Sequence, residues 1–263
     1  WEGGKGNKDL VLDRLPNGLW NRLGLNGDPA YQIVERLTKV ERPFAVNIAK
    51  THSQEIVGDK AIEDVVKTNK LVVGRLADSE KLIYVVQNLS CPNTREEKTF
   101  EQPSALRDLC SEINPILLGR VKRGFKLSPN HSKKTLEGIV EILEGKKDFV
   151  DFYVCCNTYP MEHPRRTDLR GGGSGKIVYP LTLQTIEFLR QMTKKPIIAV
   201  GGISTGYDMW YAHNAGANFF QAYDGFARKS PMNPYAGPRF AQKVVAEYQK
   251  LLKKEEEIRQ LQK

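Results

Sequence analysis

Residues 87–94 read Gln-Asn-Leu-Ser-Cys-Pro-Asn-Thr, a thiol, three side-chain amides and a chain-stiffening proline within eight positions. A cysteine thiolate can take a carbon-bound proton when the carbanion is relieved at once by hydride loss to an acceptor. Taken alone, Cys91 is more often a small buried hydrophobe. The flanking Asn88 and Asn93 shift the balance toward chemistry, because paired amides suit a planar ring with carbonyl and N–H edges.

Further polar groups follow other apolar runs. Asn47 comes after Phe44-Ala45-Val46, and Asn157-Thr158 after Phe152-Tyr153-Val154-Cys155-Cys156. Lys126 lies inside Gly124-Phe125-Lys126-Leu127-Ser128-Pro129. A lysine there is costly to bury unpaired, so it should face an anion or an electron-rich ring; the alternative is a rim lysine that reaches water. Gly171-Gly172-Gly173-Ser174-Gly175 reads either as a flexible linker or as a loop that lets backbone approach a ligand. Gly201-Gly202-Ile203-Ser204-Thr205-Gly206 follows a strand and opens a helix, which presents backbone N–H groups to a phosphate.

The elements that must position these groups alternate strictly. Strand-like runs cover Pro43–Ala49, Leu82–Leu89, Gly124–Ser128, Phe149–Cys155, Pro196–Val200 and Ala217–Ala222. Between them, Asp28–Val40, Lys60–Asp78, Pro103–Ile113, Ser132–Glu144, Leu181–Met192 and Tyr207–Ala215 repeat apolar residues three and four apart. Ser132 and Thr205 stand as polar caps at two helix starts. Such alternation implies parallel strands with right-handed crossovers, and a parallel barrel keeps its chemistry at the C-terminal strand ends. Six units are visible, two short of a closed eight-unit barrel, so two open strand edges need covering, for instance by a partner protein. A final helix from Pro238 toward Lys263 begins amphipathic and ends highly charged.

Composition narrows the class. With 263 residues, 40% apolar and 27% charged, the chain reads as one ordinary α/β domain over residues 1–263, whose charged C-terminal helix spans about 238–263. No apolar segment approaches the roughly 20 residues of a membrane span. A net charge of +9 is spread along the chain without a basic recognition motif, so no specific nucleic-acid binding is expected. The charge suits a mitochondrial residence, with the cytoplasm as the alternative. Four cysteines show no metal spacing, and Cys155-Cys156 is a poor disulfide pair. The opening Trp-Glu-Gly-Gly-Lys-Gly has neither a signal peptide's apolar core nor an initiating methionine, which reads as a processed or incomplete chain.

In this order, the pieces resemble the dihydroorotate dehydrogenase family from about Leu15 to about Leu252. Arg14-Leu15-Pro16 and Asn21-Arg22-Leu23-Gly24-Leu25-Asn26 look like the family's loop against the orotate ring, and they resemble the quinone-linked class. Cys91 instead resembles the soluble classes, since the quinone-linked class has serine there. The resemblance implies an α/β (β/α)8 TIM-type barrel whose first two strands are missing from this chain. It implies flavin mononucleotide (FMN) lined by Asn47, Asn88, Lys126 and Cys156, with its phosphate held by Gly175, Gly201, Gly202 and Tyr223. Asn21, Asn88, Asn93 and Asn157 would hold dihydroorotate, with Thr158 beside them. Cys91 would take the proton from substrate C5 while hydride leaves C6 for flavin N5, and an acceptor such as a quinone would reoxidise the flavin.

The chain departs from the family at four places. Asp224 stands where a small polar residue faces the flavin phosphate, and Cys156 replaces a threonine. Arg95-Glu96-Glu97-Lys98 replaces a Pro-Gly turn, and the stretch from Tyr159 to Arg166 is longer and more basic. These departures keep two other readings open: a retired barrel kept as a scaffold or interaction subunit of a larger assembly, and a flavin barrel acting on another dihydropyrimidine or dihydrouridine.

Overall fold

A computed structural model describes residues 1–89, 100–229 and 236–262. Six strands form one parallel sheet: β3 (Phe44–Ile48), β4 (Leu82–Asn88), β5 (Lys122–Leu127), β6 (Phe152–Cys155), β9 (Ile197–Val200) and β10 (Phe219–Gln221). Their spatial order is their chain order, with β3 and β10 at the two ends. This is the expected curled, partial barrel, and each strand is joined to the next through helix on one side, as right-handed crossovers require.

The helices are α1 (Ala30–Leu37), α2 (Asp59–Leu76), α3 (Pro103–Leu117), α4 (Lys133–Leu143), α5 (Tyr179–Met192) and α6 (Gly206–Ala215), then α7 (Asp224–Lys229) and α8 (Ala236–Leu261). Their apolar stripes bury Val65, Val72, Leu106, Leu136 and Ile186 against the outward strand residues Val85, Phe125, Tyr153, Ile197 and Ala199. Both expected caps form: Ser132 accepts from the Thr135 N–H at 3.1 Å, and Thr205 from the Asp208 N–H at 3.1 Å. Helix α3 runs four residues past Ile113, through Pro115, because buried Leu117 fastens its last turn to the core.

The inward sheet face carries a second, smaller cluster of Val86, Phe152, Val154 and Ile198, flanked by Tyr84 and Val200. The two-residue period of a strand separates the faces. Val86, Gly124 and Phe152 share one register row across β4, β5 and β6, and Asn88, Lys126 and Val154 share the next toward the C-terminal end. Gly124 makes room for aromatic bulk: a Cβ there would lie 2.4 Å from the Phe152 ring.

The strand–helix alternation does not anticipate a second sheet. Strands β1 (Leu12–Leu15), β2 (Gly18–Asn21), β7 (Tyr159–His163) and β8 (Arg166–Gly175) form an antiparallel layer in the order β1-β2-β8-β7. The glycine run at 171–175 is therefore neither linker nor loop. A Cβ on Gly171 would meet the Trp20 indole at 2.8 Å, and one on Gly173 would meet Met161 Sδ at 2.6 Å. Gly171 leaves room for Trp20, which is fully buried and edge-on to His163, and Gly173 leaves room for Met161. The basic stretch from Tyr159 to Arg166 is likewise a strand and its turn. There Asp13 accepts from His163 Nε2 at 2.9 Å and from Arg165, pinning the turn to β1.

Candidate functional site

At the C-terminal end of the parallel sheet, Asn157 Nδ2 donates to Asn88 Oδ1 at 3.0 Å across 69 residues of chain. The Asn157 Oδ1 accepts from the Thr158 N–H at 3.1 Å, and its backbone N–H donates to Leu127 O at 2.8 Å. Buried Asn157 is thus held by both ends of its amide and by its backbone. Lys126 stands beside Asn88 in the register of β4 and β5. Asn157, Asn88 and Lys126 therefore sit at one mouth, at the end of the inner face that carries Val86, Phe152, Val154 and Ile198. Gln221 Nε2 donates to the Tyr84 hydroxyl at 3.1 Å, and Tyr84 stacks edge-on with Phe152 at 4.9 Å, so the inner face is braced from β10 to β4.

A second group gathers the glycines. Gly175, Gly201 and Gly202 all have positive φ, at 80°, 119° and 83°, which side-chain-bearing residues resist. A Cβ on Gly202 would lie 2.7 Å from Gly175 O and 2.5 Å from Tyr179 Cβ, so two loops touch there through bare backbone. A Cβ on Gly175 would lie 2.8 Å from Asp224 Oδ2: the carboxylate of this buried residue fills that gap.

The opening turn of α6 is satisfied from within the protein. Asp208 Oδ2 accepts from the Ser204 N–H at 2.9 Å and the Thr205 N–H at 2.8 Å, and Glu247 Oε2 accepts from the Gly206 N–H at 2.6 Å. Those donors are already paired, so the helix end does not offer them to a ligand. Burial pushes the Asp208 carboxyl up, but the Lys176 ammonium and the Ser204 and Thr205 donors outweigh it and hold the group below the usual carboxylate range.

The remaining expected residues are spread more widely. Asn47 is exposed on the inner side of end strand β3, one register row below the mouth. Asn21 ends β2 and donates to Gly172 O at 3.3 Å. Tyr223 is 65% exposed and does not line a closed cradle. Cys156 is buried, but its thiol joins the helix-side core with Cys155 and Ile203, not the inner cluster. Cys91 and Asn93 lie outside the described residues. Burial pushes the Cys110 thiol up to about 12, partly offset by Arg123, and burial also raises Cys155, so neither is a poised nucleophile. No group of three metal-ligating side chains is found among the described residues.

Lys176, Asp208, Tyr84 and Gln221 escaped the reading of the residues. Only Asp208 had a local signal, the Thr205-x-x-Asp208 spacing of a capping box.

A curled parallel sheet of six strands with polar residues at its C-terminal mouth defines a partial α/β barrel of the TIM type. A family model described as dihydroorotate dehydrogenase matches residues 2–252, and the chain belongs to that family. The dihydroorotate dehydrogenase (quinone) of Haloarcula marismortui is 29% identical over 250 residues, covering 92% of this chain and 66% of that protein. That of Roseiflexus castenholzii is 31% identical, covering 95% and 67%. The chain thus spans about two thirds of the length of the curated relatives it matches. The ligand-free DHODH of Eimeria tenella superposes with a TM-score of 0.80 at 24% identity, covering 96% of this chain and 75% of that one, which supports the fold.

Proposed function

We propose that this chain carries the substrate mouth of an FMN-dependent dihydroorotate dehydrogenase, oxidising dihydroorotate to orotate with a quinone as acceptor. The observation that carries the reading is the Asn157–Asn88 pair beside Lys126 over an apolar floor, in a chain of this family. Members of the family are generally FMN-dependent. The residues fit such a group at its ring end, where Asn88 and Lys126 offer polar edges above the buried apolar cluster of Val86, Phe152, Val154 and Ile198. At the phosphate end the fit is by Gly201 and Gly202, since Asp224 fills the gap at Gly175.

Bound FMN would supply a two-electron acceptor for the hydrogen on substrate C6. The chain's own residues do the rest. Asn88 and Asn157, already locked to each other, present the remaining donor and acceptor positions of their amides to the ring substrate, with Asn21, Asn93 and Thr158 as further contacts. Prepaid orientation of this kind lowers the cost of binding in a reactive pose. Lys126 brings a fixed positive charge to the mouth, where negative charge developing on a bound ring is stabilised. Cys91 accepts the proton from C5.

An absorbance spectrum tests the reading. The purified protein, given FMN, should be yellow and should bleach anaerobically with dihydroorotate, and Cys91→Ala should bind flavin yet not bleach. Colourless protein that takes up no FMN would end the proposal. Flavin that dihydroorotate does not bleach would point to another dihydropyrimidine. One observation favours a retired scaffold instead, the Asp224 carboxylate packed on Gly175, and the same spectrum decides against it if flavin binds.

A further inference from the structure

Gly175 ends β8, and the next residue, Lys176, turns its ammonium onto Asp208 Oδ1 in α6. The other carboxylate oxygen of Asp208 accepts from the Ser204 N–H at 2.9 Å, the Ser204 hydroxyl at 3.1 Å and the Thr205 N–H at 2.8 Å. One buried carboxylate therefore ties the end of the antiparallel sheet to the loop that leaves β9. Tyr179 closes the same joint: its hydroxyl donates to Asp208 O at 2.8 Å, and its ring lies 4.7 Å from the Lys176 ammonium. Gly202 sits in the seam, with no space for a methyl against Tyr179 or Gly175 O. The contact between the two glycine loops is thus flanked by Tyr179 and by an ion pair between segments 32 residues apart.

We propose that Lys176 and Asp208 are positioning residues for the phosphate end of the cofactor site, clamping the Gly201–Gly202 loop against Gly175 in the conformation that offers its backbone to a flavin phosphate. This rests on the flavin reading above. Neither side chain need touch the cofactor, and both act through the backbone they hold. Loss of the pair should loosen the phosphate end and leave the ring floor, built from other strands, as it was.

The experiment compares FMN with riboflavin, which has the same ring and no phosphate. Each is titrated by quenching of flavin fluorescence into the full chain and its Lys176→Met and Lys176→Arg variants, with circular dichroism as the check on folding. Lys176→Met is expected to weaken FMN about fivefold, the upper range for a partly exposed pair, and to leave riboflavin unchanged. Lys176→Arg should restore FMN binding. FMN affinity unchanged in Lys176→Met overturns the proposal, as does equal weakening of both flavins, which would mean general damage. If the unsubstituted chain takes neither flavin, the flavin reading fails and this inference falls with it.

Discussion

Replacing Gly124 by alanine probes the inner floor with a single methyl. The new Cβ would lie 2.4 Å from two carbons of the Phe152 ring and 3.1 Å from a third. Carbon atoms rest near 3.5–4.0 Å, so the ring must retreat by about 1 Å. It has little room, being 7% exposed, edge-on to Tyr84 and packed with Val86, Val154 and Ile198. Overpacking of this kind costs about 1–3 kcal/mol, while alanine in place of glycine within a strand returns about 0.5–1 kcal/mol. A net loss of about 1–2 kcal/mol is expected, with Phe152 displaced from the inner cluster and flavin uptake weakened. Phe152→Ala alone should cost about 3–5 kcal/mol through the cavity it leaves. In that background the alanine at 124 finds open space and becomes neutral or stabilising, a coupling of about 1–3 kcal/mol between the two sites. Urea denaturation of the four proteins, followed by far-ultraviolet circular dichroism, measures the cycle. A Gly124→Ala protein as stable as its parent would refute the reasoning, as would a penalty that persists without the ring.

Three further outcomes are expected. Asn157→Ala removes the donor to Asn88 and should raise KM for dihydroorotate about tenfold, the worth of one buried hydrogen bond, with FMN affinity unchanged; steady-state kinetics and flavin titration check it. Because its folded pKa is depressed, Asp208 contributes stability that is present above the ordinary carboxylate pKa and lost as pH falls through the folded value. Asp208→Asn should therefore flatten the acid side of a stability–pH profile measured from pH 7 downward. Asp224→Asn removes a negative charge from the phosphate end. A unit-charge pair 4 Å apart is worth about 4 kcal/mol at an effective dielectric of 20, so even part of that should tighten FMN about tenfold relative to riboflavin. No gain for FMN would show that the carboxylate does not face the phosphate.

The residues alone were enough to determine the parallel sheet, because its information is local. Leu82–Val86 and Phe152–Cys155 are apolar on both faces, and each is followed by a helical period, so strand, helix and crossover can be read in order. The polar residues ending those strands had to gather at one mouth once the sheet curled, as Asn88, Lys126 and Asn157 do. The cap on α6 was legible too, being written within four residues. Tertiary structure decided whatever depends on what occupies the space beside a residue. Gly171, Gly172, Gly173 and Gly175 have no side chain to declare a face, and only pairing with β2, some 150 positions away, and with β7 makes this stretch a strand. Alternation with Phe152 and Val154 would put Cys156 on the inner face, but β6 ends at Cys155 and Cys156 joins the helix-side core. The bond from Asn157 to Asn88 and the pair of Lys176 with Asp208 join segments whose separation along the chain erases any periodic signal, so they exist only once the backbone has brought them within reach.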